Sequence, residues 1–157
     1  MKKIRNNVFE TNSSSVHSIV VKYDGKYVCN LKRDKKNPFA VIGKCHDYSD
    51  YGRSEDVLLT TQQEKFDYVV SLMTCANEYS NSYDNIKESW HFRTLLEALQ
   101  MVDSQIDDVV ILDSDNASFD HQTAPYSYNE TVVNFYNEYD IMEFIFNDNI
   151  QLKCSFD

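Results

Sequence analysis

The hydrophobic period along this chain changes several times, and each change marks a predicted element. Residues 16–21 are dominated by β-branched apolar types, residues 26–32 (KYVCNLK) alternate polar and apolar, and Asp24-Gly25 between them is a dipeptide favoured in tight turns. The pair predicts an N-terminal β-hairpin with Val28 and Tyr27 packed inward. Residues 33–57 turn polar, punctuated by Pro38, Gly43 and Gly52, with one apolar run, PFAVI, expected as a third strand. Thr60 and Thr61 followed by Gln63 and Glu64 form a capping-box pattern. Phe66, Val69, Val70 and Met73 then recur at helical spacing, which predicts a helix to about Tyr79.

After a polar connector, Phe92, Leu95, Leu96, Leu99 and Val102 repeat the helical spacing. DVVILD, residues 108–113, is a short apolar run bounded by acids and reads as a buried strand. Residues 130–137 suggest a short helix. Another follows, capped by Asp140 with Glu143 and carrying Ile141, Phe144 and Ile145, before a closing strand at 150–154. The order β-β-α-α-β-α-α-β predicts a single α+β domain over residues 1–157, with an antiparallel or mixed sheet carrying helices on one face.

Composition supports a packed domain: 42% of the 157 residues are apolar and 13% aromatic, with only three Gly and two Pro. No apolar run approaches the roughly 20 residues of a membrane span, so no membrane partner and a cytoplasmic location are expected. The four cysteines, Cys29, Cys45, Cys75 and Cys154, form no C-x-x-C pair, which suits free thiols. A zinc site would have to gather Cys45, His46 and His121 without the usual spacing, so neither metal nor cofactor is expected.

The net charge of −10 conceals an asymmetry. Residues 1–44 hold ten Lys or Arg and three acids, net +7; residues 45–157 hold five and twenty-two, net −17. A basic segment lying against an acidic body would explain this, as would two copies paired head to tail, so a homodimer is compatible with the charge. Two further readings stay open. The strip Lys32, Arg33, Lys35 and Lys36 could hold phosphate, or the acidic body could face a basic, nucleic-acid-binding protein. Direct nucleic-acid binding is disfavoured for so acidic a chain. The acids assigned to such a partner surface are Asp103, Asp107, Asp108, Asp113 and Asp115, with Tyr126 and Tyr128 among the tyrosines (also Tyr48, Tyr51, Tyr79 and Tyr83) expected in loops.

Two segments carry candidate chemistry. In VFETNSSSVHS the cluster Ser13, Ser14, Ser15 exceeds what one turn needs, and His17 follows on the strand face of Ile19 and Val21. Asp120-His121 follows the DVVILD strand. Were the two strands sheet neighbours, His17 and His121 could converge on Ser13, Ser14 or Ser15, with Asp120 or Asp113 orienting a histidine for nucleophilic or acid–base catalysis; the two histidines and an Asp could instead hold a divalent metal. The alternative is a structural turn and a core histidine. No phosphate loop, G-x-G-x-x-G, H-E-x-x-H or G-x-S-x-G occurs.

KIRNNVFETNSSSVHSI closely resembles the N-terminal VFETNSSS-x-HS signature of small proteins encoded by bacteriophages and prophages, and FDHQT and MEFIFND resemble later parts of that pattern. The resemblance implies a phage accessory protein acting inside the bacterial cell and adds weight to Asn12, Ser13, Ser14, Ser15, His17 and His121. Together these readings favour a binder that inhibits a host defence or nucleic-acid-handling protein, of the anti-CRISPR kind and with a nuclease as one candidate partner. A small hydrolase or nucleotide-processing enzyme is the alternative.

Overall fold

A computed structural model describes residues 3–5, 15–21, 27–48, 57–80, 85–119 and 137–156. Eight strands run in chain order: β1 (Lys3–Arg5), β2 (Ser15–Val21), β3 (Ala40–Lys44), β4 (Asp47–Tyr48), β5 (Val57–Leu59), β6 (Asp108–Leu112), β7 (Ser118–Phe119) and β8 (Gln151–Phe156). The helices are α1 (Gln62–Ser80), α2 (Trp90–Val102) and α3 (Glu138–Phe146). The α+β class is as expected, but among the described residues the strands form three small sheets rather than one. An antiparallel sheet has the order β1-β2-β8-β5, while β3 with β6 and β4 with β7 are parallel pairs.

The helix starts follow local chemistry. Glu64 accepts from the backbone N–H groups of Thr60 and Thr61, both at 3.0 Å, and Thr61 Oγ1 accepts from Glu64 N–H at 3.2 Å, a complete capping box. Burial alone would raise the Glu64 carboxyl, but these hydrogen bonds bring it below its ordinary value. Ser89 caps α2 through Phe92 N–H. At α3 the cap is Asn137, accepting from Tyr139 N–H at 2.9 Å, and not Asp140, which lies inside the helix.

The expected hairpin between 16–21 and 26–32 does not form. β2 already has a neighbour on each side, β1 and β8, and so has no free edge for another strand. Residues 27–32 are nevertheless extended with a strict period of two. Tyr27 turns inward as expected, with Cys29 and Leu31, whereas Val28, expected inward, is 66% exposed. Their backbone bonds to α1 instead: Gln62 accepts from Asn30 N–H and donates to Val28 C=O, and Gln63 accepts from Lys32 N–H. Asp24-Gly25 lies outside the described residues, as do residues 130–136 of the expected short helix.

A hairpin does form further on. Asp34 N–H reaches Ala40 C=O and Ile42 N–H reaches Lys32 C=O, with Arg33 bridged to Val41. Its second limb, β3, is the strand expected from PFAVI. DVVILD is β6, as expected, but only Val109 is fully buried, because β6 has β3 as its one partner among the described residues and Leu112 is exposed.

α1 is buried on nearly every side. Phe66, Val69, Val70 and Met73 face the core as their spacing required, but Tyr68, Leu72, Cys75 and Ala76 are also buried, as are the polar Gln62, Lys65, Ser71 and Thr74. Around it pack α3, β3 and β7. β3 comes so close that a Cβ on Gly43 would stand 2.6 Å from Val70 Cγ2 and 3.2 Å from Phe66 Cε1. Gly43→Ala should therefore destabilise the fold by about 1–3 kcal/mol through overpacking, measured as a lowered urea midpoint at unchanged slope.

α2 buries His91 beside Trp90, ring centroids 3.7 Å apart, and burial pushes the imidazole down from 6.5 to about 4. Between these values the unfolded chain binds the proton first, so stability present above pH 6.5 is lost on acidification towards pH 4. The loss attributable to this residue should be roughly 3 kcal/mol, and His91→Phe should remove that part of the slope in denaturation curves taken from pH 7 to 4.

Candidate functional site

The parallel ladder of β3 and β6 continues past its strands: Cys45 N–H bonds to Leu112 C=O at 2.9 Å, and Ser118 N–H to His46 C=O. Lys44, Cys45 and His46 thus sit at the carboxyl end of a parallel pair, the end where open α/β arrangements leave room for ligands. α1 meets them with a polar stripe at i, i+4 and i+7. Asp67 Oδ1 accepts from Lys44 N–H at 3.0 Å and from Gln63 Nε2 at 2.8 Å, leaving Oδ2 facing His46 Nε2 at 3.6 Å. Ser71 Oγ accepts from His46 N–H at 3.0 Å and donates to Asp67 C=O at 2.7 Å. Thr74 Oγ1 accepts from the Cys45 thiol and donates to Val70 C=O.

This places a half-exposed histidine, its side chain 34% accessible, against a carboxylate anchored on its other oxygen. Such a pair can orient an imidazole for proton transfer. It lacks a nucleophile among the described residues: the Ser71 hydroxyl is committed on both sides, and burial pushes the Cys45 thiol up despite its bond to Thr74. On the far side Lys44 Nζ approaches Asp113 Oδ2 at 3.4 Å, with Asp113 in the left-handed region at φ 54° as β6 turns into a single 3-10 turn.

A second polar cluster forms around Lys65, two residues before Asp67 on α1. The Lys65 ammonium, fully buried, donates to the carbonyls of Asn147 (2.8 Å) and Ile150 (3.2 Å), acceptors left over where α3 ends. Burial pushes Lys65 down to about 8, opposed by the charge of Asp148. Glu143 accepts from the Tyr27 hydroxyl at 2.6 Å and from Asn147 Nδ2 at 3.2 Å. With its donors turned on main-chain carbonyls and no solvent access, Lys65 fastens α3 to α1 rather than reaching a substrate.

Of the residues expected in a site, Ser13, Ser14, Asp120, His121, Tyr126 and Tyr128 lie outside the described residues, together with Tyr51 and Tyr83. Ser15 opens β2 opposite Phe156, and His17 is in register with Cys154. The condition for their convergence with His121 fails, since β2 and β6 belong to different sheets. Tyr48, expected in a recognition loop, is buried in β4 and stacked on Phe119 at 5.1 Å, while Tyr79 lies within α1. Among the described residues no three His, Cys, Asp or Glu gather to hold a metal ion.

The acids divide. Asp103 pairs with Arg33, Asp108 with Lys87 at 2.7 Å and Asp113 with Lys44, so three of the five assigned to a partner surface are neutralised within the chain. Two of these pairs join the basic first 44 residues to the acidic remainder, as a basic segment lying on an acidic body would. Asp107 and Asp115 are exposed and have no ion pair among the described residues.

Sequence reasoning passed over His46–Asp67 and Lys65. The signal for the first was present, in polar Asp67, Ser71 and Thr74 at helical spacing among the apolar residues of the middle of the helix. Cys45 and Cys75, both buried, should alkylate with iodoacetamide on the order of 100-fold more slowly in the native protein than in urea, read by mass spectrometry of timed samples. Comparison with known proteins adds no relative to this geometry: no family model, curated protein or solved structure matches the chain.

Proposed function

We propose that this chain is a phage-type accessory protein of the bacterial cytoplasm that binds and blocks a basic, nucleic-acid-handling protein of the host. The observation that carries the reading is a contrast. The His46–Asp67 pair has no nucleophile beside it among the described residues, whereas the chain keeps a net charge of −10 after its internal ion pairs are made. The resemblance of VFETNSSSVHS to phage proteins sets the cellular context, and no helix among the described residues is long and apolar enough to cross a membrane. The contact is assigned to acids left unpaired, Asp107 and Asp115, rather than to Asp103, Asp108 and Asp113.

One observation favours the enzyme alternative. β7 runs parallel to β4, the strand that follows His46, with Phe119 opposite Tyr48, and Asp120-His121 comes next in the sequence after Phe119. A hydrolase would then draw on His46, Asp67 and His121.

Binding to a purified RNA-guided or DNA nuclease should weaken steeply between about 0.1 and 0.5 M salt and fall roughly tenfold in Asp107→Lys/Asp115→Lys, with Asp103→Asn unchanged. Salt-insensitive binding, or none to any such nuclease, overturns the reading. A phosphoester or nucleotide hydrolysis lost in both His46→Ala and His121→Ala would establish the alternative.

A further inference from the structure

Among the side chains that the structure describes, the charges not cancelled inside the molecule are unevenly placed. Of the Lys and Arg side chains so described, Arg33, Lys44 and Lys87 are ion-paired and Lys65 is buried, which leaves Lys32, Lys35, Lys36 and Arg93 without an ion pair. Three of these four stand on the hairpin formed by residues 32–42. Its tip is built to hold one shape: Asn37 N–H bonds to Asp34 Oδ2 at 3.0 Å, Phe39 N–H to Asn37 Oδ1 at 3.1 Å, and Ala40 N–H to Asn37 C=O at 3.0 Å. With the turn closed by its own side chains, little conformational freedom remains to be lost on binding. Beside the lysines, Phe39 leaves 48% of its surface in water, a large apolar group for an otherwise cationic tip.

We propose that this hairpin docks on the acidic surface of a second copy of the same chain. The complement is present in the chain, in the net −17 of residues 45–157 and the exposed, unpaired Asp107 and Asp115. It is also rehearsed within each molecule. The hairpin already bonds the loop between α2 and β6 of its own chain, through Arg33 to Asp103 and, at the tip, Phe39 C=O to Asp107 N–H and Asn37 Nδ2 to Asp107 Oδ1. Single-stranded nucleic acid is the weaker occupant, since the whole molecule repels a polyanion. Two molecules of charge −10 also repel, but screening confines that repulsion to about 10 Å at 0.1 M salt, while hairpin–acid contacts act at shorter range. Association should therefore pass through a maximum with ionic strength, weaker at about 0.01 M and again at about 1 M. An apolar interface would only strengthen with added salt.

Sedimentation equilibrium of the full chain at about 0.1 M salt, over roughly 5–500 µM, tests the proposal. The mass should rise from 18.4 kDa towards twice that value. Lys35→Glu and Phe39→Ser should each weaken dimerisation at least about tenfold, while Arg93→Glu, with the same charge change as Lys35→Glu but away from the hairpin, should leave it intact. Unchanged circular dichroism confirms that each variant is folded. A monomer at every concentration, a dimer indifferent to both hairpin variants, or a monomer that instead binds a labelled oligothymidylate through Lys35 overturns it. None of these outcomes depends on whether a host protein is bound.

Discussion

Burial of α1 on almost every side is the constraint from which the rest of the structure follows. A helix with one wet face can leave its polar side chains in solvent; this one cannot, and each polar group it carries inward must find a partner within the fold. Gln62 and Gln63 find the backbone of residues 28–32, Lys65 the carbonyls beyond α3, and Asp67, Ser71 and Thr74 the last residue of β3 and the two that follow it. Those bonds locate three separate segments against a single helix. The cost falls most heavily on Lys65, whose ammonium loses its hydration for two carbonyls and the nearby Asp148 charge. The alternative, open carbonyls at a buried helix end, would be costly too.

Charge is handled in two tiers. Pairs such as Lys87–Asp108 and Lys44–Asp113 are half-exposed, and each adds little to stability. Their larger consequence is on the surface field, because they remove from it acids that composition alone would count. Among the described side chains, what remains is an anionic surface narrower than the net charge suggests and a set of unpaired cations of which three of four stand on one hairpin. Asp107 and Asp115 serve both readings, so a second copy of the chain and a basic foreign partner would compete for the same acids.

How far this could be read in advance depends on the range of the interactions. The capping box at Thr61–Glu64, the apolar repeat of α2 and the short apolar run of β6 are local, and each appears where its residues say it should. The extended character of residues 27–32 was equally legible, but its phase and partner were not. Period two looks the same whether the backbone bonds a strand or two glutamines on a helix, and the glutamines lie some thirty positions away. Assignment of strands to sheets failed for the same reason, since β2 finds β8 at the opposite end of the chain. The His46–Asp67 pair needed both β3 and α1 to be placed, although the polar stripe on α1 hinted that something was held there.

That long-range pairing bears on the opening signature. VFETNSSS spans the connection between β1 and β2, and SVHS begins the strand that joins the two ends of the chain, with Ser15 opposite Phe156 and His17 opposite Cys154. Pairing across such a separation carries a loop-closure cost that the local elements do not. The row holding His17 and Cys154 also includes Val57 of β5, and two rows on stand Ile19, Leu152 and Leu59, of which Leu152 and Leu59 are buried. A substitution at His17 therefore acts on the seam between the termini as well as on any chemistry the motif performs. His46, half-exposed and outside any strand, separates the two questions, because its ring can be changed without touching the register of a sheet.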